Sequence, residues 1–217
     1  MAATLTVNFT DADSTSWSAL IDWDYDGSTF DNDQTVASIV SGDQFTHTYN
    51  TPGTYTAAVK VTDNQGATSL IATAQITIEQ AYTVTFLSPF DGSTPALPLI
   101  NRAKAGRVVP VKVTIYDDCA LAAYEYPAAA PSIRVNTATD ATGATTDALE
   151  AYADAGNANS NGSNFRWSPD GFWIYNLDTR TILGGSPLLT GSSYRIDAWV
   201  GSVKATDDEW GLLQTVK

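Results

Sequence analysis

Short runs that alternate apolar and polar residues recur along the chain, separated by turn-forming residues. Leu5, Val7 and Phe9 alternate with Thr6 and Asn8, and Ile21, Trp23 and Tyr25 alternate with Asp22 and Asp24. Tyr55, Ala57, Val59 and Val61 alternate with Thr56, Ala58, Lys60 and Thr62, and Leu70, Ala72, Ala74, Ile76 and Ile78 with Ile71, Thr73, Gln75 and Thr77. A period of two in Thr, Val, Ile and Tyr is the pattern of half-buried strands. Gly27, Gly42, Pro52-Gly53 and Asn64-Gln65-Gly66 punctuate the runs as turns. About seven short strands are predicted in the first 80 residues, which is enough for one sandwich. A junction at Glu79-Gln80-Ala81 leads to a new strand over 82–86 and a Pro-rich loop over 88–98. The expected fold class is all-β, with two tandem β-sandwich domains at 1–80 and 81–217. So short a junction implies a semi-rigid connection.

Residues 136–164 break the pattern. Thr, Ala, Asn, Gly and Ser dominate, and the stretch reads as loop, with 147–153 able to make one or two helical turns. Such a loop is either a binding element or a tolerated insertion.

Composition narrows the function classes. The chain has 217 residues and is 43% hydrophobic, which permits a packed core. The net charge of −13 is uneven. Residues 1–80 hold ten acidic side chains against Lys60, giving −9, and residues 81–217 hold fourteen against ten, giving −4. A field of this sign repels phosphate backbones and anionic lipid, so nucleic acid is excluded as a partner. It suits cations, basic surfaces and neutral glycans. No apolar run approaches the roughly 20 residues of a membrane-spanning helix, so no membrane insertion is expected. Neither a basic n-region nor an apolar h-region opens the chain. An exported form would thus be a mature chain or a piece of a larger precursor. Cys119 is the single cysteine, so no disulfide can form within the chain.

Four motifs in order carry a family resemblance. Ile21-Asp22-Trp23-Asp24-Tyr25-Asp26-Gly27 is followed by Thr46-His47-Thr48-Tyr49, Gly53-Thr54-Tyr55-Thr56 and Val59-Lys60-Val61-Thr62-Asp63. The run resembles the PKD domain, with its W-D-F-G-D-G, H-T-Y, G-x-Y-x-V and V-x-D. The chain lacks the Gly between Tyr25 and Asp26. The resemblance implies a small extracellular β-sandwich used for spacing, adhesion or binding. Lys104-Ala105-Gly106-Arg107-Val108-Val109-Pro110-Val111-Lys112-Val113 in turn resembles the PxKF domain of bacterial surface and secreted proteins, with Val113 in place of Phe. Phe165-Arg166-Trp167, Trp173-Ile174-Tyr175-Asn176-Leu177 and Tyr194-Arg195-Ile196-Asp197 extend that resemblance over roughly 85–217. It implies a β-rich, Ig-like second domain and names no ligand.

The candidate chemistry lies in two places. Asp22, Asp24, Asp26, Gly27 and Asp33 fit a twelve-residue D-x-D-x-D-G calcium loop, with Asp31 as a substitute ligand. Hard oxygen donors at positions one, three, five and twelve are what calcium takes. On a strand, Asp22 and Asp24 would share one face and Trp23 and Tyr25 the other. The same aspartates could instead shape the turn by bonding their own backbone. Asp11, Asp13 and Asp63 are further candidates from neighbouring loops. The second place is an aromatic group. Trp167, Trp173, Tyr175 and Trp199 either form a stacking platform for a glycan or fill a core and a contact face. Phe172 and Ile174 should oppose Trp173 and Tyr175.

Catalytic readings find little support. His47 is the only histidine, and it falls within the H-T-Y segment, where the resemblance gives it a packing or hydrogen-bond role. One His and one Cys cannot supply a usual zinc site. Asp117 and Asp118 disfavour a thiolate at Cys119. Asn8-Phe9-Thr10 and Asn161-Gly162-Ser163 match the glycosylation sequon. The sequence reading is therefore a non-catalytic structural, adhesion or spacer module at a cell surface or in the extracellular space. Its partners would be other domains or subunits of a surface assembly. The alternatives are a carbohydrate-binding accessory module of a larger hydrolase, or a subunit of a filament, surface layer or virion decoration. In the last case a free edge near 4–9 or 212–217 would add to a neighbour.

Overall fold

The computed structural model describes residues 1–139, 151–152, 162–180, 191–205 and 209–217, with 151–152 described as backbone only. Most of the expected 136–164 loop lies outside them, including 147–150 and 153 of the expected helical turn and the sequon at Asn161. Among the described residues there is no helix, and none therefore long and apolar enough to cross a membrane. The chain divides into two compact units, Met1–Gln80 and Ala81–Lys217.

The first unit has six strands: β1 (Ala2–Val7), β2 (Trp17–Asp22), β3 (Gln34–Ile39), β4 (Asp43–Thr48), β5 (Gly53–Asp63) and β6 (Ala72–Ile78). β1 pairs antiparallel with β4, and the other sheet runs in the order β3-β2-β5-β6. Leu5 and Val7 from the smaller sheet are buried, as are Ala19, Ile21, Ala57, Val59 and Ile78 from the larger. Six strands form where about seven are expected, and β2 ends at Asp22, short of the expected run to Tyr25. There the Asp22 carboxylate accepts the Asp24 N–H at 3.1 Å and turns the chain. Asp22 and Asp24 consequently do not share a strand face: Asp22 is buried beside Ile21 and Trp23, and Asp24 is exposed.

Among its described residues the second unit has twelve strands. One sheet holds β7 (Tyr82–Leu87), β10 (Val108–Asp117), β11 (Ala122–Ala123), β14 (Arg166–Ser168) and β15 (Phe172–Asp178), with β10 flanked by β7 and β15. The other holds β8 (Gly92–Ser93), β9 (Asn101–Lys104), β12 (Ser132–Ala138), β13 (Ala151–Tyr152), β16 (Ser193–Val200), β17 (Val203–Lys204) and β18 (Trp210–Val216). One core joins them: Val84, Val111, Val113, Trp173 and Tyr175 from the first sheet pack with Ile133, Val135, Tyr194, Ile196 and Leu213 from the second. Val113, where the PxKF pattern reads Phe, is fully buried. Ala151–Tyr152 pairs with Arg134–Val135, so these two residues of the expected helical turn are strand. The all-β expectation of paired sandwiches holds in both units.

The edge expected near 212–217 is closed. β18 pairs with β16 on one side and with β8 and, in parallel, β9 on the other.

Candidate functional site

The acidic turn of the first unit is built outward from the end of β2. Asp22 closes that strand and is buried. Its two carboxylate oxygens accept different backbone donors, Asp24 N–H at 3.1 Å and Asp31 N–H at 2.8 Å. Asp33 Oδ2 accepts the Trp23 N–H at 2.7 Å, while the Asp33 N–H donates to the Ile21 carbonyl at 3.0 Å. These bonds hold both ends of the turn together. Asp22, Asp24 and Asp33 can each bring a carboxylate oxygen within 4.8 Å of the others.

Two of the five sequence candidates do not join them. Asp26 Oδ1 accepts Ser28 N–H, Ser28 Oγ–H and Thr29 N–H at 2.8–2.9 Å. Those bonds, led by Thr29, hold the Asp26 carboxyl below its ordinary range. Asp31 contributes its backbone N–H rather than its side chain to the Asp22 contact. The nearest N–H groups, and not the loop spacing, decide where each short carboxylate points. Asp11, Asp13 and Asp63 also lie elsewhere. Trp17 opposes Asp63 and Asp22 opposes Ala58, so they sit at opposite ends of β2, about 17 Å apart at strand rise. There Asp11 accepts the Trp17 indole N–H at 2.8 Å, a bond that leads in lowering its pKa to about 2.

Aromatic rings adjoin the acidic turn. His47 stacks on Trp23 with centroids 5.2 Å apart and meets Tyr49 edge-on at 4.7 Å, and Tyr49 stacks on Tyr55 at 4.0 Å. The buried Tyr49 hydroxyl donates to the Trp23 carbonyl at 2.7 Å. Burial first, then the Asp24 charge, pushes the Tyr49 pKa up to about 12. Trp23, Asp24, Asp33, Gln34, His47 and Tyr55 are among the residues lining a cavity of about 280 Å³. Of the two roles that the resemblance allows His47, packing is the one these ring contacts display.

In the second unit the aromatic candidates separate. Trp173 and Tyr175 are 2% and 0% exposed, so neither can stack on a ligand. Phe172 and Ile174 face the other way, as the period of two requires. Trp173 Nε1 donates to the Tyr124 carbonyl at 2.7 Å, and the Tyr175 hydroxyl donates to the Gly162 carbonyl at 3.0 Å. Trp199 is half-buried, and the Arg134 guanidinium lies over its ring at 3.6 Å, so one face is already occupied. Trp167 is also half-buried against the core. It packs edge-on against Trp173 at 5.1 Å and shares a groove of about 520 Å³ with Tyr126, Phe165 and Arg166. Tyr126, 69% exposed, was not a sequence candidate. It lies in an Ala- and Pro-rich turn outside any alternating run, so no periodic signal marks it. Cys119 is buried, and its N–H donates to Asp117 Oδ1 at 3.0 Å.

Comparison with known proteins bears on the first unit. No curated protein matches the chain. Among solved structures, the chain is similar to fibronectin(III)-like modules of Clostridium thermocellum CbhA, at 10% identity and a TM-score of 0.31 over 100% of this chain and 94% of that one. A likeness at that score assigns nothing. The family model of the PKD domain matches residues 1–76, about a third of the 217 residues. The first 76 residues are thus similar to a PKD domain, the family to which the motifs around Trp23, His47, Tyr55 and Val59 pointed.

Proposed function

We propose that the chain is a non-catalytic structural, adhesion or spacer module of a secreted or cell-surface protein. Its second unit would be of the PxKF type, and its partners other domains or subunits of a surface assembly. The observation that carries this reading is the PKD match over residues 1–76. The geometry supports it, because the groups best suited to chemistry there have structural duties. Asp22 and Asp33 hold backbone N–H groups, and His47 is packed between Trp23 and Tyr49. Turnover of a polysaccharide, ester or peptide that disappears with His47→Ala, in a variant that remains folded, would sink the proposal.

Calcium is the proposed stiffening ion of the first unit, at Asp22, Asp24 and Asp33. Three carboxylates that can converge offer the hard oxygen donors it prefers. Thermal unfolding in roughly 2 mM calcium, within the weak range of extracellular modules, should raise the first-unit transition relative to EGTA. Asp24→Ala should abolish that rise. An unchanged transition returns the aspartates to turn-making alone.

A second reading, glycan binding, is favoured by the groove at Tyr126 and Trp167. Aromatic rings of this kind present flat apolar area to a ligand. Binding on a glycan array that is lost in both Tyr126→Ala and Trp167→Ala would support it. A blank array leaves the spacer reading alone.

A further inference from the structure

The first unit has an open side. β1 pairs only with β4 among the described residues, and their register is unbroken from Ala2–Thr48 to Val7–Asp43. Met1 and Tyr49 exchange both backbone hydrogen bonds. Antiparallel ladders repeat such a pair every second residue. The N–H and C=O groups of Ala3, Leu5 and Val7 therefore point at β4, and those of Ala2, Thr4 and Thr6 point away from it. Beside this edge a slot of about 200 Å³ lies between the sheets, with Leu5, Val7, Val59, Ala72 and Ala74 as its apolar lining and Thr6, Asn8 and Thr73 as its polar lining. That exceeds the roughly 150 Å³ that admits one benzene, so aliphatic side chains fit it.

Folded proteins usually blunt an exposed edge with charge, proline or a bulge. β1 has none of these, and from Ala2 to Thr10 no side chain is charged. β6, across the slot, is equally uncharged. The acidic side chain within this two-stranded sheet is Asp43, opposite Val7 at the far end of the ladder, where its carboxylate accepts the Val40 N–H.

We propose that this open side is a strand-addition site whose occupant is β1 of a second copy of the chain, running antiparallel. The sequence fits itself there. With Thr4 opposite Thr4 of its symmetry mate, Ala2 meets Thr6, so each outward backbone group gains a partner. Three such pairs at two bonds each give about six hydrogen bonds. On the core side Leu5 then lies opposite Ala3, a large residue against a small one. Thr also suits the outward positions of a paired strand. A basic partner would find no carboxylate among the residues lining the slot. This inference rests on the reading of the first unit as an interaction module. Its test involves neither calcium nor glycan, so its failure would leave the spacer reading standing.

Sedimentation equilibrium of the full chain between roughly 1 μM and 1 mM, the range of weak association, should show mass rising from 23.1 kDa towards twice that value. Thr4→Pro deletes an outward N–H that the fold does not use. It should weaken the dimer about tenfold or more, with the far-UV spectrum unchanged. Thr4→Lys places like charges opposite each other at the two-fold axis, so its dimer should weaken at low salt and recover at high salt. A parent chain that stays monomeric throughout overturns the proposal, and so does a dimer that neither variant weakens.

Discussion

Replacing Asp22 separates a carboxylate that holds the fold from one in the same cluster that holds no backbone group. Asp22→Ala removes the acceptor of two backbone donors, the N–H groups of Asp24 and Asp31, at a residue 1% exposed. Hydrogen bonds to a charged group contribute about 1.5–3 kcal/mol each. Asp24 and Asp31 are themselves exposed, so water can recover part of that loss. The expected destabilisation is therefore about 2–4 kcal/mol. For a unit of this size, that corresponds to a fall in Tm of roughly 10 °C or more. Asp24→Ala is the control, because no described residue bonds its exposed carboxylate, and it should cost less than about 0.5 kcal/mol. Asp22→Asn keeps one acceptor and should fall between the two. The assay is thermal unfolding of the full chain in EGTA, followed by circular dichroism, so that calcium contributes nothing. An Asp22→Ala transition within about 2 °C of the parent would refute the reasoning. So would equal losses in the Asp22 and Asp24 variants.

Tyr49→Phe keeps the ring stack on Tyr55 but strands the Trp23 carbonyl, so urea unfolding should show a loss of about 1–3 kcal/mol. Gly211→Ala would place a Cβ 2.5 Å from the Phe90 ring and 3.1 Å from Ile196, and overpacking there should destabilise the second unit by about 1–3 kcal/mol in the same assay. The Arg180 guanidinium, bonded to Asp178 at 2.7 and 2.9 Å, holds that carboxyl below its ordinary range. A depressed folded-state pKa stabilises above the unfolded value of about 4 and loses that contribution as pH falls through the folded one. The second-unit transition should thus decline below about pH 4, and Asp178→Asn should flatten the decline.

Sequence alone carried what depends on period and local chemistry. Alternation in Leu5–Val7 and in Phe172–Leu177 identified strands and paired the residues that share a face, because successive side chains on a strand point to opposite sides. The ordered motifs around Trp23, His47 and Tyr55 located the PKD-like segment. Period does not say which face meets water, so Trp167 and Trp173 looked alike until the opposing sheet buried Trp173. Spacing does not say which N–H a carboxylate will find. Asp26, at position five of the apparent calcium loop, turned to Ser28 and Thr29, while Asp33 was drawn to the Trp23 N–H. Strand partners distant in sequence were equally hidden. Asn101–Lys104 seals the edge of β18 that looked free, whereas no described strand pairs with the outer edge of β1. Local preference sets what a segment can form, but the neighbours brought to it by the chain decide which of its groups stay available.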